Sequence, residues 1–150
     1  MKNSNTRVLA VCSGGGHRMQ MKRLLPALQG CETVLASVSP IEDDRIQRFY
    51  SILDANRDTK LRMLGLLIRM FFVVIWTRPD AIVSTGAAPG YLAIRVGKLI
   101  GARTLFVDSI ANGTEPSLSA KLSMAHADVT LSQWPEVSEK YGTSYWGAIL

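Results

Sequence analysis

A run of small residues followed by a histidine is the segment of this sequence best suited to chemistry. Ser13, Gly14, Gly15 and Gly16 directly precede His17. Glycines let a backbone approach a phosphate or sugar closely, and a helix that begins there offers unpaired N–H groups and the positive end of its dipole. A neutral imidazole at that point could act as a general base. The alternative is that the glycines only form a tight turn.

A second segment combines hydroxyl groups with small residues. It contains Thr85, Gly86, Gly90 and Tyr91. The two hydroxyl groups could hydrogen-bond the diphosphate or sugar of an acceptor substrate. Glycine and proline are also ordinary in turns, so packing alone is an equal alternative.

A third segment places a carboxylate directly after an apolar stretch. Asp108 and Ser109 follow Leu-Phe-Val. A carboxylate there is poorly solvated and needs either a partner or a catalytic task, which makes Asp108 the second candidate base. The alternative is that Asp108 or Ser109 bonds the backbone of the neighbouring loop. For His126, near a predicted helix end, we expect a structural or capping role.

Apolar periodicity predicts the elements that hold these segments. Strands are predicted at 7–12, 33–38, 81–85, 104–107 and 129–131. Helices are predicted at 18–28, through 92–100 and at 117–125. Two more helices are predicted, one from Ile41 with the core face Ile46, Phe49, Ile52 and Leu53, and one that begins at Asp58 or Thr59 and runs toward Trp76. This order is typical of a doubly wound parallel sheet, a Rossmann-like α/β domain. In such sheets ligands bind outside the carboxyl ends of the strands. We therefore expect one domain over residues 1–150 in which the three polar segments converge.

The glycine-rich segment matches neither common nucleotide-binding pattern. Met19 stands where a dinucleotide fingerprint needs its third glycine, and the Gly-Lys-Ser/Thr of a P-loop is absent. The two cysteines, Cys12 and Cys31, form neither a metal pattern nor a disulfide framework. The sequence thus predicts no metal and no cofactor.

The composition is apolar and the charge is unevenly distributed. Of the residues 47% are hydrophobic and 19% charged, and the net charge is +5. The segment from position 45 to position 103 contains ten Lys and Arg residues but only three Asp, so its net charge is +7. Such a block suits anionic lipid or a phosphorylated substrate; a solvated basic face is the alternative. No nucleic-acid-binding motif accompanies it, and we expect no such partner.

The segment 63–77 is the most apolar part of the chain and carries Phe71, Phe72 and Trp76. At about fifteen residues it is too short to span a bilayer. Arg62 and Arg69 lie seven positions apart, on nearly one helical face, where their stems could extend along a membrane surface. A buried core helix is the alternative. Because the first six residues lack the pattern of a signal peptide, a cytoplasmic location is expected.

Together these motifs resemble the acceptor-binding subunit of two-subunit, family-28-like GT-B glycosyltransferases. The resemblance is carried over the whole chain by Ser13-Gly-Gly-Gly-His17, Ser84-Thr-Gly86 with Pro89-Gly90, Asp108-Ser109, and Gln133-Trp-Pro135 followed by Glu139-Lys-Tyr141. Such subunits anchor the eukaryotic enzyme that adds the second N-acetylglucosamine to a dolichol-linked acceptor, and they occur in bacterial exopolysaccharide synthesis. The N-terminal half of the single-chain enzyme that acts on lipid I is also similar.

The resemblance implies a division of labour between two proteins. This chain would bind the lipid-linked acceptor and the cytoplasmic membrane surface, and a separate GT-B half-domain would bind the nucleotide sugar. Transfer would proceed with inversion and without a catalytic metal. His17 matches the histidine of the first loop. Asp108 stands where relatives commonly have glutamate, and the N-terminal transmembrane helix of the eukaryotic member is absent, so attachment falls to residues 63–76 or to the partner.

Two other functions remain open at this point. One is a non-catalytic tether that recruits a self-sufficient transferase to the membrane. The other is a stand-alone nucleotide-binding enzyme of the Rossmann type, which the broken dinucleotide fingerprint disfavours.

Overall fold

Six parallel strands form the central sheet of this α/β fold. The computed structural model describes residues 6–53 and 60–149. The strand order is β3-β2-β1-β4-β5-β6. Its strands are β1 Arg7–Val11, β2 Glu32–Ser37, β3 Ile46–Ser51, β4 Ala81–Ser84, β5 Arg103–Val107 and β6 Val129–Leu131. The doubly wound parallel sheet predicted from the sequence is therefore confirmed.

Five helices lie on the two faces of this sheet in the described part of the chain. They are α1 Gly15–Leu24, α2 Lys60–Thr77, α3 Ala87–Leu99, α4 Leu118–Met124 and α5 Pro135–Tyr141, and a 3-10 turn, Leu25–Leu28, extends α1. Because α2 and α3 each connect the carboxyl end of one strand to the amino end of another, both run in the direction opposite to the strands.

Alternate residues of the central strand β1 separate the two faces. Leu9 and Val11 pack with the buried side of α2 and with α3, in the larger core cluster. Ala10 and Cys12 pack with Met21 of α1 in a second cluster. This alternation follows from the two-residue period of a strand. It explains why β1 is almost continuously apolar, since both of its faces are covered.

The helix predicted from Ile41 is wrong. Residues Ile46–Ser51 form β3, which pairs in parallel with β2. The acidic residues expected to open a helix instead form a turn: Asp43 accepts hydrogen bonds from the backbone and the guanidinium of Arg45, and the N–H of Ile46 bonds the Asp43 carbonyl. β3 lies at the edge of the sheet and four of its six residues are exposed, so it lacks the apolar alternation that would have distinguished it.

The last helix, α5, was not predicted. Pro135 occupies its first turn and Gly142 ends it with a φ of 75°, a pairing of proline at the start and glycine past the end that is common in helices. The predicted helix toward Trp76 is confirmed as α2, whereas the capping expected at Asp58 or Thr59 lies outside the described residues.

Candidate functional site

The three polar segments lie at the carboxyl ends of three neighbouring strands. Ser13 follows β1, Thr85 follows β4 and Asp108 follows β5, and these strands are adjacent in the sheet. The chain leaves β1 for one face of the sheet and β4 for the other, which makes the boundary between them the switch point of the fold. Clefts of doubly wound proteins open at this point.

The first loop leaves space beside its backbone. Gly15 has a φ of +58°, which favours glycine, whereas Gly14 and Gly16 have ordinary backbone angles. A Cβ added at any of these three glycines would meet no atom within 4 Å. Packing therefore does not require the glycines at positions 14 and 16. The space they leave adjoins the start of α1, whose first N–H groups have no partner within the helix.

His17 lies in the first turn of α1 and is fixed to the loop after β4. Its Nδ1 is 2.7 Å from the carbonyl oxygen of Thr85, and the Thr85 hydroxyl donates to the His17 carbonyl at 2.7 Å. A carbonyl oxygen can only accept, so Nδ1 carries the proton of the neutral ring. Nε2 is left with its lone pair, the tautomer that a general base needs. Thr85 is fully buried, and its two hydrogen bonds to His17 hold the imidazole in place.

Gly86 makes room for the imidazole. Its φ of +123° is rarely adopted by other residues, and a Cβ there would lie 2.6 Å from both Cε1 and Nδ1 of His17. Gly86 ends the tight turn after β4, and its N–H bonds the hydroxyl of Ser84. Both the backbone angle and the closeness of the ring explain why glycine stands here.

Gly90 has a packing reason of its own. A Cβ at this position would lie 1.8 Å from the Ser84 hydroxyl oxygen, so glycine lets α3 approach the end of β4. Gly90 is buried. Its predicted contact with substrate stays a prediction, and the structure gives the residue a structural role that does not depend on one.

The Asp108 carboxylate organises the loop that follows β5. One oxygen accepts from the N–H of Ser109 and the side-chain amide of Asn112, both at 2.9 Å, and the other accepts from the N–H of Ser117 at 2.8 Å. Asp108 is buried. Three donors at a buried carboxylate satisfy it as an acceptor. This geometry favours the structural alternative for Asp108 over the role of a base.

Three residues that sequence reasoning did not place in the site complete this loop. Gln133 donates to the Asp108 carbonyl at 2.8 Å, and its amide oxygen accepts from Ile149 at 2.7 Å. Gln20 of α1 is 3.4 Å from the Ser109 hydroxyl. Asn112 bonds the carboxylate itself. Gln133 belongs to a motif quoted above. Nothing in the sequence marked Gln20, because its partner Ser109 is 89 positions away, and Asn112 was interpreted only as part of a turn, although its partner Asp108 is four positions away.

Tyr91 lies one helical turn into α3, away from the glycine loop. Its hydroxyl accepts from Nη1 of Arg95 at 3.1 Å, and the same nitrogen is 3.1 Å from Nε2 of His126. Arginine only donates, so Nε2 of His126 is the acceptor. The predicted contact of Tyr91 with substrate stays a prediction, and His126, just after α4, forms a side-chain contact with α3.

The outer face of α2 is apolar and exposed. Phe71, Phe72 and Trp76 are 44%, 43% and 63% exposed, and their rings contact one another. The opposite face of the helix forms the core through Leu66, Met70, Val73 and Val74. The helix thus combines a core face with a second apolar face that the domain leaves uncovered. Such a patch marks a surface for another molecule.

The two arginines of α2 differ in their contacts. Arg69 donates from Nε to the carbonyl of Ser51 at the end of β3, and Arg62 is exposed near the start of the helix. No helix within residues 6–53 and 60–149 combines the length and apolar character needed to cross a membrane. In the same ranges, no group of three or more His, Cys, Asp or Glu side chains could hold a metal ion.

Two ionisable groups in the described part of the sheet have shifted pKa values. Burial raises the pKa of the Cys12 thiol, at the end of β1, from 9.0 to about 12. Near the start of β6, a hydrogen bond from Lys98 lowers the pKa of Asp128, which also accepts hydrogen bonds from the N–H and hydroxyl of Thr104. Asp128 thereby fastens the turn before β6 to the start of β5.

Comparison with known proteins agrees with the fold and with the motifs. No protein-family model matches the chain. The sequence is similar to the UDP-N-acetylglucosamine transferase subunit ALG14 of Yarrowia lipolytica, with 24% identity over 181 aligned positions that cover 99% of this chain and 83% of that protein. The likeness extends across the whole described domain and does not depend on one loop.

Among solved structures, MurG of Acinetobacter baumannii superimposes with a TM-score of 0.75 at 15% identity, covering 95% of this chain. A UDP-N-acetylglucosamine 2-epimerase of Rickettsia bellii superimposes with a TM-score of 0.70 at 9% identity, covering 96% of this chain. The chain spans 45% of the length of each of these two proteins. The fold is that of one Rossmann-like half of a GT-B glycosyltransferase, and the chain resembles family-28-like transferase subunits, as its motifs predicted.

Proposed function

We propose that this chain is the acceptor- and membrane-binding subunit of a heteromeric, inverting glycosyltransferase. It acts on a saccharide linked to a polyprenyl diphosphate, to which a sugar passes from a nucleotide-sugar donor during surface polysaccharide synthesis. The observation that carries the proposal is the fixed tautomer of His17 beside an open glycine loop, at the switch point of half a GT-B fold.

His17 is the base in this proposal. Its Nδ1–H is held by the Thr85 carbonyl, so Nε2 can accept the proton of the acceptor hydroxyl. The hydroxyl oxygen then forms a bond to the anomeric carbon of the donor sugar. The bond from that carbon to the nucleotide diphosphate breaks, and the diphosphate leaves with the electron pair. One displacement of this kind inverts the configuration at the anomeric carbon.

Asp108 acts as a positioning residue, because its carboxylate is already satisfied by three donors. It holds the loop after β5. A contact between Ser109 of that loop and Gln20, three residues beyond His17, connects the loop to α1. The first N–H groups of α1 face the open space beside the glycines and suit the diphosphate of the acceptor.

A second subunit supplies the donor site. The size of the chain relative to MurG supports this, since 95% of this chain corresponds to only 45% of that protein. The similar ALG14 protein is itself described as a transferase subunit. We propose that the partner is a donor-binding GT-B half-domain and that the complex lies on the inner face of the cytoplasmic membrane through the exposed side of α2.

Reconstitution tests the proposal. The purified chain, the candidate partner and their mixture are each assayed for transfer from a nucleotide sugar to a polyprenyl-diphosphate-linked acceptor. Only the mixture should show turnover. Robust transfer by the chain alone would contradict the subunit assignment, and transfer by the partner alone at the rate of the mixture would favour the tether.

A further inference from the structure

Trp134 lies three residues after β6, at the same edge of the sheet as the candidate site. Its indole N–H donates to the carbonyl oxygen of Ile110 at 2.7 Å, in the loop after β5. A Cβ at Gly113 would be 3.2 Å from Cε2 and 3.4 Å from Cζ2 and Nε1 of the ring, so glycine lets this loop pack against the indole. Even so, 39% of Trp134 is exposed. An aromatic ring that is held in one orientation and still open to solvent suits the binding of a ligand.

Two polar side chains of the same loop, Ser109 and Asn112, retain hydrogen-bonding capacity. The Ser109 hydroxyl oxygen accepts from the N–H of Ala111 at 3.2 Å and lies 3.4 Å from Nε2 of Gln20. These contacts occupy both lone pairs of the oxygen, so the hydroxyl hydrogen is left to donate. Asn112 donates one amide hydrogen to Asp108, and its amide oxygen has no donor in the described part of the chain. Both side chains are half-buried.

The groups around the indole are neutral. The segments 109–113 and 132–135 contain no Lys, Arg, His, Asp or Glu. The neighbouring Asp108 carboxylate is buried, already accepts three hydrogen bonds and would repel an anion. A phosphate would therefore lack a cation here, and a lipid chain would leave the hydroxyl and the amide unpaired. A pyranose ring matches both features, because its faces carry C–H groups and its rim carries hydroxyls.

The indole lies beside the candidate base, at a distance set by the sheet. Gln20, which contacts Ser109, is one helical turn beyond His17 on α1. Trp134 follows β6, three strands from β1, and bonds the loop after β5, two strands from β1. Neighbouring strands are about 4.8 Å apart, so the ring is roughly 10–14 Å from His17. A single pyranose does not span that distance, so a sugar on the indole is not the sugar whose hydroxyl meets Nε2.

We propose that Trp134, Ser109 and Asn112 form a subsite for a neutral pyranose, the acceptor sugar that precedes the one to be glycosylated. The indole stacks on one face of the ring, the Ser109 hydroxyl donates to a sugar oxygen, and the Asn112 amide oxygen accepts from a sugar hydroxyl. The assignment rests on the proposed function and makes it more specific, because the acceptor then carries at least two sugars. It also gives Trp134, in the motif Gln133-Trp-Pro135, a contact with substrate.

Binding to the full chain tests the subsite without any transfer reaction. The indole N–H signals of the three tryptophans are followed by two-dimensional NMR and assigned with single Trp→Phe variants. The probes are the methyl glycosides of glucose, galactose, mannose and N-acetylglucosamine, and at least one of them should shift the Trp134 signal in a saturable way. Trp76 and Trp146 are more exposed, at 63% and 68%, and would report non-specific contact. Their signals should not move, and inorganic diphosphate should leave the Trp134 signal unchanged.

Two variants at position 134 separate the aromatic ring from its N–H. Trp134→Phe and Trp134→Leu both lose the hydrogen bond to Ile110, but only phenylalanine keeps an aromatic face. With the reconstituted pair and a lipid-linked acceptor of two sugars, Trp134→Leu should raise KM about tenfold, the effect expected from a lost aromatic stack. Trp134→Phe should raise it less than about threefold. With an acceptor of one sugar, the two variants should have the same KM.

Ser109→Ala removes the hydroxyl that is left to donate. It should raise KM for the two-sugar acceptor by about two- to tenfold, the usual contribution of one hydrogen bond, and leave kcat near the wild-type value. Thermal unfolding checks that each variant is folded at the assay temperature.

The subsite is contradicted if no glycoside shifts the Trp134 signal or if all three tryptophan signals shift alike. A Trp134 signal that responds to the partner subunit and to no glycoside would instead place the indole in the subunit interface. Equal KM of Trp134→Leu and Trp134→Phe for the two-sugar acceptor would also overturn the assignment.

The proposed function fails separately. If the reconstituted pair transfers no sugar but a glycoside selectively shifts the Trp134 signal, the subsite is supported and the function is contradicted. If the pair transfers sugar and no glycoside shifts the signal, the function is supported and the subsite is contradicted.

Discussion

The ring of His17 lies against the α-carbon of Gly86, where the side chain of any other residue would begin. A Cβ at position 86 would be 2.6 Å from two ring atoms. His17 lies in the first turn of α1 and Gly86 directly precedes α3, 69 positions away, and the pairing of β1 with β4 brings the two residues together. The orientation of the candidate base therefore depends on a glycine that carries no chemistry itself.

Gly86→Ala should displace the imidazole and inactivate the reconstituted transferase by about a hundredfold, since a small misplacement of a catalytic group has effects of that order. Gly101→Ala is the matched control, because Gly101 also has a positive φ, +80°, but a Cβ there meets nothing within 4 Å. Both variants should lose roughly 1–3 kcal/mol of stability. Equal activity of the two would contradict the role given to Gly86.

Replacing His17 by Ala should lower kcat of the paired enzyme by roughly 10²–10⁴, the usual contribution of a general base. Thr85→Val is the companion variant. It removes the hydroxyl that donates to the His17 carbonyl but keeps the carbonyl that fixes Nδ1. We expect it to cost about 1 kcal/mol of stability and to preserve most of the activity. Unchanged turnover of His17→Ala would favour the tether.

Asp108→Asn should destabilise the domain by about 1–3 kcal/mol, because the amide nitrogen cannot accept a hydrogen bond now made to a carboxylate oxygen. Thermal unfolding measures this, with Asp44→Asn, at an exposed turn, as the control. Below the melting range, kcat should fall much less than in His17→Ala. A variant as stable as wild type yet as inactive as His17→Ala would instead identify Asp108 as the base.

Replacing Phe71, Phe72 and Trp76 together by Ser should weaken sedimentation with anionic liposomes and leave the fold intact, because the three side chains are exposed. Leu118 and Leu122 of α4 are exposed to a similar extent and lie outside the α2 face, so their double Ser variant should still sediment. Circular dichroism monitors the fold. Collapse of the triple variant would favour the alternative in which α2 is entirely a core helix.

Alkaline pH should destabilise the domain through Cys12. Burial raises the pKa of its thiol from 9.0 to about 12, so the folded state favours the neutral form. This contribution is complete below pH 9 and is lost as pH rises toward 12, where the unfolded chain gains by ionising. Cys12→Ala should flatten that part of the stability curve. At pH 8, a thiol reagent should modify the half-buried Cys31 and leave Cys12 unmodified until the chain unfolds.

The sequence was sufficient for elements whose apolar pattern has one clear period. The apolar run that became α2 and the buried strands β1, β4 and β5 are of this kind, and so are the loops that follow these strands. β3 was mistaken for a helix because Ile46, Phe49 and Ile52 recur at helical spacing by coincidence. As an edge strand it is defined by pairing with β2, which is a long-range property.

The same limit applies to the candidate site. The positions of His17 and Asp108 just after predicted strands were enough to identify both as candidate bases. They were not enough to decide which of the two is free to accept a proton. The difference lies in hydrogen bonds across 68 positions for His17 and within a local turn for Asp108. The hydrogen bond of His17 leaves Nε2 with its lone pair. The hydrogen bonds of Asp108 occupy both oxygens of its carboxylate. Only the folded chain contains that information.

The shared direction of α2 and α3 has a geometric consequence for a lipid substrate. Both helices run from the carboxyl ends of the strands, where the cleft opens, toward their amino ends. The exposed apolar face of α2 extends along the helix. A bilayer resting on that face would lie alongside the strands, and the cleft would open sideways at the level of the headgroups. An acceptor could then reach His17 by lateral diffusion within its leaflet, without being lifted out of the membrane.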